Sequence, residues 1–515
     1  MKNIFIAIVF PVLFLVACGE DYVTDFERAS GQEELDEIDH ATLDRYIRGA
    51  YWSLLSLSAN GSTISLTAYN DIASDMLEIK EFSLITEPGN NRWLSPIYNR
   101  RAEENTNRYI DHGFYGGYTV LRNVNNILDF YEENGVPEDN PQWEDRLKGE
   151  SYFLRAFVHF TLATVFAPPY SSDPNALAIS LMLTSSSSAT GTLPRSTVEE
   201  VDTQVIADLK LAIQLLPETF DPDRDPAWYG YASAKRDAAR FLLARVYFRM
   251  GSEFWTSGFD GDGGALEQIN AIINSGRHDV PTHGDMLSGI YTRVDRNLPE
   301  IPEVVFKLDY TTNNNWRAPI MHETYSRETP GGGNFRGFAF NKRLLRQIGW
   351  DDVAVASLDQ RYRDVFVRYE AADSGTPDGD PMYTNNEYLE PYNVWTLKYV
   401  NNGITWQIFR YPEMHLMRAV IRSESGDGAG AAEDINITRQ RAGLDPLTTA
   451  TATDVEHEWI KELAMEGRRL AYLQALKRPI AVPGNQDNPA TVPYDDPSFV
   501  RRLPLREISR NPNVN

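Results

Sequence analysis

The chain has 515 residues and a formal net charge of −24, from 73 Asp and Glu against 49 Lys and Arg. So acidic a surface repels phosphate backbones, which excludes nucleic acid as a partner. A single cysteine excludes a disulfide framework, so the body must rest on an ordinary apolar core, for which the length is ample.

The first element is an export signal. Residues 1–18 read MKNIFIAIVFPVLFLVAC: a charged start at Lys2, an apolar run from Ile4 to Val16 broken only by Pro11, and Leu15-Val16-Ala17-Cys18 at the end. The run is shorter than the roughly 20 apolar residues that span a bilayer, and small residues before a cysteine fit cleavage of a lipoprotein signal. Residues 1–17 are therefore expected to be removed and Cys18 to carry diacylglycerol with a further acyl chain such as palmitate. Each buried methylene contributes about 0.8 kcal/mol, and two or more chains anchor stably. Residues 18–34 read as a lipidated tether, with Gly19-Glu20-Asp21 directly after the lipid. No later segment is apolar enough to span a membrane.

Helical periodicity follows. Leu43, Tyr46, Ile47, Ala50 and Leu54 recur at helical spacing, as do Phe114, Tyr118, Leu121, Asn125, Leu128 and Tyr131. The spacing predicts helices over 144–166, ending before Pro168-Pro169, and over 198–216, opened by a Thr197-x-x-Glu200 capping box and stopped at Pro217. An Ala-rich helix is expected over 233–250 and a short partner over 265–275. Residues 276–410 then turn rich in Gly, Asn, Asp, Pro and aromatics. This stretch reads as mostly loop, with short strands at Val304–Leu308 and Val394–Tyr399 and a helix near 340–348. A long irregular insert in a helical protein is usually functional. Helices return over 411–425, 430–442 and 454–477, the last with Val455, Trp459, Leu463, Leu470 and Leu473 on one face. The tail from Pro479 reads as extended. Helix pairs 144–166/198–216, 233–250/265–275 and 411–425/430–442 suggest stacked hairpins resembling tetratricopeptide repeats. The expected class is mainly α, with a loop-rich region containing short strands.

Catalytic signatures are missing. There is no G-x-S-x-G, phosphate loop or H-E-x-x-H; His457-Glu458 is followed by Lys461 where a second zinc ligand would stand. Asp260-Gly-Asp262 begins like a calcium loop but lacks the later acidic ligand in register. Asp71 and Asp75, four apart, are the carboxylate pair a glycosidase would need, against a plainer role as polar contacts or caps. Charged residues on helix faces, among them Arg155, Arg245, Glu413, Arg441, Glu466 and Arg468, read as structural ion pairs that fix packing register. Aromatics in the irregular region are a better lead, because sugar rings stack on aromatic faces while their hydroxyls need polar partners. Trp93 and Tyr98 lie among Asn90, Asn91 and Asn99. Trp316 follows three asparagines, with Tyr325 nearby; Trp350, Trp395 and Trp406 also fall outside the strong helices.

Several strings together resemble the SusD/RagB family of nutrient-binding outer membrane lipoproteins. They are SYFLRAFVHFTLATVFAPPY (151–170), DLKLAIQLLP (208–217), SAKRDAARFLLARVYFRMG (233–251), FRYPEMHLMRAVIRSE (409–424), AAEDINITRQRAGL (431–444), HEWIKELAMEGRRLAYLQALKRP (457–479) and LPLREISRNPNVN (503–515). Phe114 stands where many relatives have Trp, and Tyr472 where an Asp is common. The resemblance implies an N-terminal helical region over 35–230 and a C-terminal region over 231–515, with the loop-rich insert at about 276–410 contributing to ligand binding. It implies a surface-exposed, lipid-anchored protein of the cell outer membrane. Such a protein binds an oligo- or polysaccharide and delivers it to a SusC-like TonB-dependent transporter, with no catalysis, cofactor or metal. The peptide-capturing members of the family supply the alternative ligand; an anchored helical glycosidase and a pure assembly scaffold are the alternative classes. Asp75 matches a position near the ligand in the family's glycan-binding archetype. The expected ligand-binding set is Asp75, Trp93, Tyr98, Trp316 and Tyr325, with Cys18 as the lipidation site.

Overall fold

The computed structural model describes residues 38–56, 66, 68–79, 95–100, 107–185, 193–230, 233–291, 301–309, 338–370, 392–398, 405–482 and 489–514. Its backbone of helices runs α1 (His40–Ser56), α2 (Tyr69–Ile72), α3 (Ser95–Tyr98), α4 (Arg108–Asn134), α5 (Glu144–Phe166), α6 (Val198–Leu215), α7 (Arg236–Met250) and α8 (Gly264–Ile273). The irregular region then contributes α9 (Lys342–Gln347) and α10 (Gln360–Asp364), after which come α11 (Pro412–Glu424), α12 (Gly428–Arg441), α13 (Ala452–Leu463) and α14 (Arg469–Ala475). Short strands interleave: β1 (Leu77–Ile79), β2 (Val304–Asp309), β3 (Phe338–Phe340), β4 (Phe366–Glu370), β5 (Tyr392–Thr396) and β6 (Thr405–Arg410). Among the described residues no helix is long and apolar enough to cross a membrane.

The long helices stack in sequence order. Helix α1 lies on α4, α4 on α5, α5 on α6, α6 on α7 and α7 on α8; α8 then meets α11, which packs on α12 and α13. Each helix buries its apolar stripe against the next, the packing logic of helical-repeat proteins. The mixed region therefore interrupts the stack between α8 and α11. Its anchor is the antiparallel ribbon β2/β6, in which Phe306 pairs with Phe409. Those two rings lie 5.4 Å apart; Phe153 of α5 meets Phe306 at 5.1 Å, and Phe241 of α7 stacks on Phe409 at 4.6 Å. Aromatic pairs of this kind add about 0.5–1.5 kcal/mol each beyond the area they bury. One contiguous core takes in residues from Leu43 to Val514.

The helix limits follow the local chemistry closely. Thr197 accepts from the Glu200 amide at 3.2 Å while Glu200 accepts from the Thr197 amide at 2.8 Å, so the capping box opens α6 as expected. The expected helix 454–477 does not form as one piece. Ala464 leaves the helical region, Met465 and Gly467 both take positive φ (63° and 73°), and α14 starts afresh at Arg469. Gly467 makes the reversal inexpensive because it lacks a Cβ. Lys398 caps the carbonyls that the break releases, donating to Glu462 O at 2.8 Å and Ala464 O at 3.1 Å. The second expected strand is shifted, to Tyr392–Thr396. Both departures from the family strings are absorbed by packing: Phe114 sits 4.8 Å from Tyr118 and 5.2 Å from Phe166, and Tyr472 sits 4.9 Å from Trp459.

One buried triad between α1 and α5 is short of positive charge. Arg146 donates to Asp44 at 2.8 Å and to Glu150 at 2.9 Å, and all three are buried. One guanidinium cannot offset two desolvated carboxylates. Burial, together with the Asp44 charge, outweighs the pull of Arg146 and pushes the Glu150 carboxyl up to about 8. The folded state thus keeps a proton that the unfolded chain releases near pH 4–5, and this group's contribution to stability is lost as pH rises from there to about 8. Glu150→Gln, which keeps the shape and needs no proton, gains on the natural protein by at most about 1.4 kcal/mol per pH unit across that window. Urea midpoints of the two proteins at pH 5 and pH 8.5 check this, and parallel curves would refute it.

Candidate functional site

The site is built on the small antiparallel ribbon β1/β3. Leu77 pairs with Phe340, Glu78 with Ala339 and Ile79 with Phe338. Ile79 ends β1 and Phe338 begins β3, so the segment after 79 and the segment before 338 join the ribbon at the same end. The ring of Tyr98 lies 5.8 Å from Phe338, which brings the far flank of the 80–94 segment to that end as well. Trp93 belongs to the first segment, Trp316 and Tyr325 to the second; all three lie outside the described residues, as does Cys18. Tyr98 itself closes the one-turn helix α3 and is buried beside Phe338, so it is not a loop residue.

Asp75 holds the other end of the ribbon. It is 6% exposed, between α2 and β1. Arg469 donates to it at 2.7 Å through Nε and 3.3 Å through Nη2, and Arg343 of α9 donates to Oδ2. Burial alone would raise its carboxyl, but the two guanidinium groups outweigh this and hold it below the usual range. Arg343 is aligned by its own element: Asn341 caps α9 by accepting from the Arg343 amide at 2.9 Å, and the Asn341 amide donates to Met76 O at 3.0 Å. The Arg343 side chain remains 26% exposed. Asp75 therefore orients a surface-reaching guanidinium and ties the ribbon to α14.

Asp71, the other half of the carboxylate pair, faces the break before α14. It accepts from the Gly467 amide at 2.6 Å and the Arg469 amide at 3.3 Å, and is fully buried. Burial outweighs these bonds and pushes its carboxyl up to about 6. Both aspartates spend their oxygens on the fold, which is the plainer of the two roles weighed for them.

The helix-face charges also meet as structural pairs. Arg155 binds Asp208 at 2.7 and 2.8 Å, and Arg245 binds Glu413 at 2.7 Å. A larger group lies at the Val304/Arg410 end of the β2/β6 ribbon. Glu303 accepts from Arg410 and, at 2.7 Å, from Arg441; Glu462 accepts from Arg441, from Arg410 at 3.0 Å and from Arg361 at 3.2 Å; Glu466, in the helix break, accepts from Arg410 at 2.7 and 2.9 Å. Sequence reading missed Glu303 and Arg410, whose partners lie far off in the chain, and Arg361, which besides its neighbour Asp359 reaches Glu458 and Glu462 about a hundred residues on. Asp262, from the calcium-like string, is taken by Tyr247 and, at 2.7 Å, by Lys210. No group of metal-ligating side chains stands together among the described residues. Trp350 and Trp395 are both 1% exposed, so these two aromatics fill the core under the loops and are not available to a ligand.

Comparison with known proteins bears on the whole chain. A family described as "Starch-binding associating with outer membrane" matches residues 40–248, and the family described as SusD matches residues 303–473. A SusD-like protein of Formosa agariphila is 22% identical, with 99% of this chain and 97% of that protein aligned. Among solved structures, a SusD superfamily protein of Bacteroides thetaiotaomicron superposes with a TM-score of 0.70 at 18% identity, over 93% of this chain and 99% of that one. The surface glycan-binding protein A of Bacteroides uniformis superposes with a TM-score of 0.68 at 15% identity, over 92% and 99%. At such identities the superpositions establish the fold.

Proposed function

Because the chain belongs to the SusD/RagB family, we propose that it is a non-catalytic capture protein for a polymeric nutrient. The nutrient is an oligo- or polysaccharide, held at the outer face of the outer membrane and passed to a SusC-like TonB-dependent transporter. The observation that carries this reading is the match of residues 40–248 to a family described as starch-binding and associating with the outer membrane. The glycan-binding name of the Bacteroides uniformis neighbour supports it. Attachment runs through lipid on Cys18, after removal of residues 1–17. The residues proposed to contact the ligand are Trp93, Trp316, Tyr325 and Tyr98, with Asp75 holding the β1/β3 frame.

The test is a glycan array on the protein, followed by calorimetry with the best oligosaccharide. Saturable binding is expected without release of reducing ends. Stacking of a planar ring on an aromatic is worth roughly 1 kcal/mol or more, so Trp316→Ala and Trp93→Ala should each weaken binding by about fivefold or more. If neither changes the affinity, the site assignment fails. If reducing ends accumulate and Asp75→Asn abolishes their release, the anchored-glycosidase class replaces the capture reading.

A further inference from the structure

The outer face of α4 carries polar side chains that the fold leaves largely unused. Asp111, Tyr115, Tyr118, Arg122 and Asn126 recur at steps of three and four residues, so they form one stripe along the helix. The first four are half-buried and Asn126 is exposed, while Phe114, Val120, Leu121 and Val124 turn into the core. No described residue bonds the Asp111 carboxylate, and burial alone pushes it up to about 6. Arg122 Nε is buried without a hydrogen-bond partner, and so is the Tyr115 hydroxyl, which faces the charges of Asp111, Arg506 and Glu507. Arg506, in the short helix Leu505–Arg510, is exposed and lies 5.5 Å from the centre of the Tyr115 ring. Tyr118 is spent on the fold, since its hydroxyl donates to Ser180 O at 2.8 Å.

A polar helix face normally meets water, or sets opposite charges three or four residues apart. Within this stripe no such pair forms. Asp111, Tyr115 and Arg122 are instead drawn partly out of water with hydrogen bonds unmade, which is costly unless a ligand makes them. The mixture of groups selects the occupant. An anion would suit the two arginines but be repelled by Asp111 and Glu507, and a cation would meet the reverse. A neutral hydroxyl donates to a carboxylate and accepts from a guanidinium, so it suits every member of the stripe. From Asp111 to Asn126 the stripe runs about 22 Å at about 1.5 Å per residue, which fits an extended chain and not a single ring. We propose that the outer face of α4 is a second binding surface for a neutral polysaccharide chain, whose hydroxyls bond Asp111, Tyr115, Arg122, Asn126 and Arg506. The proposal rests on the capture reading above but uses none of the residues assigned there.

The test is native electrophoresis of the protein in gels cast with starch, laminarin or xylan at graded concentrations. At least one of these neutral polymers should retard the natural protein. The double variant Asp111→Ala, Arg122→Ala should raise the apparent dissociation constant at least about tenfold, the effect of one hydrogen bond to a charged group. Its urea midpoint should stay where it is, because neither side chain has a partner to lose. A Trp93→Ala, Trp316→Ala variant should keep part of the retardation through α4. A double α4 variant retarded as strongly as the natural protein would overturn the second surface and leave the capture reading standing, as would a tryptophan variant with no retardation left. A midpoint that falls along with the affinity would make Asp111 and Arg122 structural. Binding on the glycan array without retardation by any of the three polymers would overturn the neutral-chain assignment, whereas silence in both assays would overturn the capture reading itself.

Discussion

Glu462→Ala lowers the stability of the folded protein by about 3–5 kcal/mol, the range for breaking a buried ion pair on one side only. Glu462 is 2% exposed, and its carboxylate is shared by Arg441, Arg410 and Arg361, each itself buried. Removing it leaves three guanidinium groups facing one another with Glu303, Glu458, Asp359 and Glu466 as the remaining counter-charges. Glu462→Gln, which keeps the volume and two acceptor lone pairs, should cost less. Urea midpoints of the three proteins measure both effects. A loss below about 1 kcal/mol in the alanine variant, typical of an exposed pair, would sink the idea that the cluster holds the region together.

The same residue carries a pH signature. Burial tends to raise the Glu462 carboxyl, but Arg441, Arg410 and Arg361 outweigh it and hold the group well below the usual range. Its contribution is therefore complete above the unfolded glutamate value, about 4.3, and disappears as pH falls through the folded value. The gap between natural protein and alanine variant should narrow on acidification. Glu150 runs the other way because the one arginine beside it is shared with Asp44, whereas three arginines converge on Glu462. The two buried glutamates differ in the count of cations around them, not in depth.

Asp75→Ala should cost about 3–5 kcal/mol as well, for a related reason. It strips Arg469, 2% exposed, of its closest carboxylate and leaves it with Glu456 at 2.9 Å. It also frees Arg343 and so loosens α9 and the β1/β3 ribbon. A residue whose only task is to touch ligand would lose affinity on substitution while the denaturation midpoint stays put. For Asp75 the midpoint should fall, and any loss of glycan affinity should accompany that fall. Denaturation and binding measured on one preparation separate the two. An unchanged midpoint with affinity gone would make Asp75 a direct ligand contact instead.

Much of the helical scaffold was legible. The limits of α5 coincide with residues 144–166 because the apolar spacing is strong and Pro168 and Pro169 bar continuation. The start of α6 was legible because Thr197 and Glu200 satisfy each other's amides whatever lies around them. The break before α14 was not, although Gly467 stood as a signal. Trp459, Leu463, Leu470 and Leu473 keep helical spacing across it, and periodicity alone does not register a local reversal. The framework of the candidate site was legible only in part. Asp75 and Tyr98 were picked out, but not that one would be locked by Arg343 and Arg469 and the other laid under Phe338.

What the residues fix by themselves is whatever depends on neighbours three or four positions away: the helices, their caps and the order of family strings that runs through them. Those strings were enough to identify the family before any contact was known. Which charges meet depended on the tertiary structure, because Glu303 and Arg441, or Asp75 and Arg469, are separated by more than a hundred residues and carry no mark of each other. Their pairing exists only once the stack of helices has closed around them. There the low polarity of the interior makes an unmatched charge far more costly than it is in water.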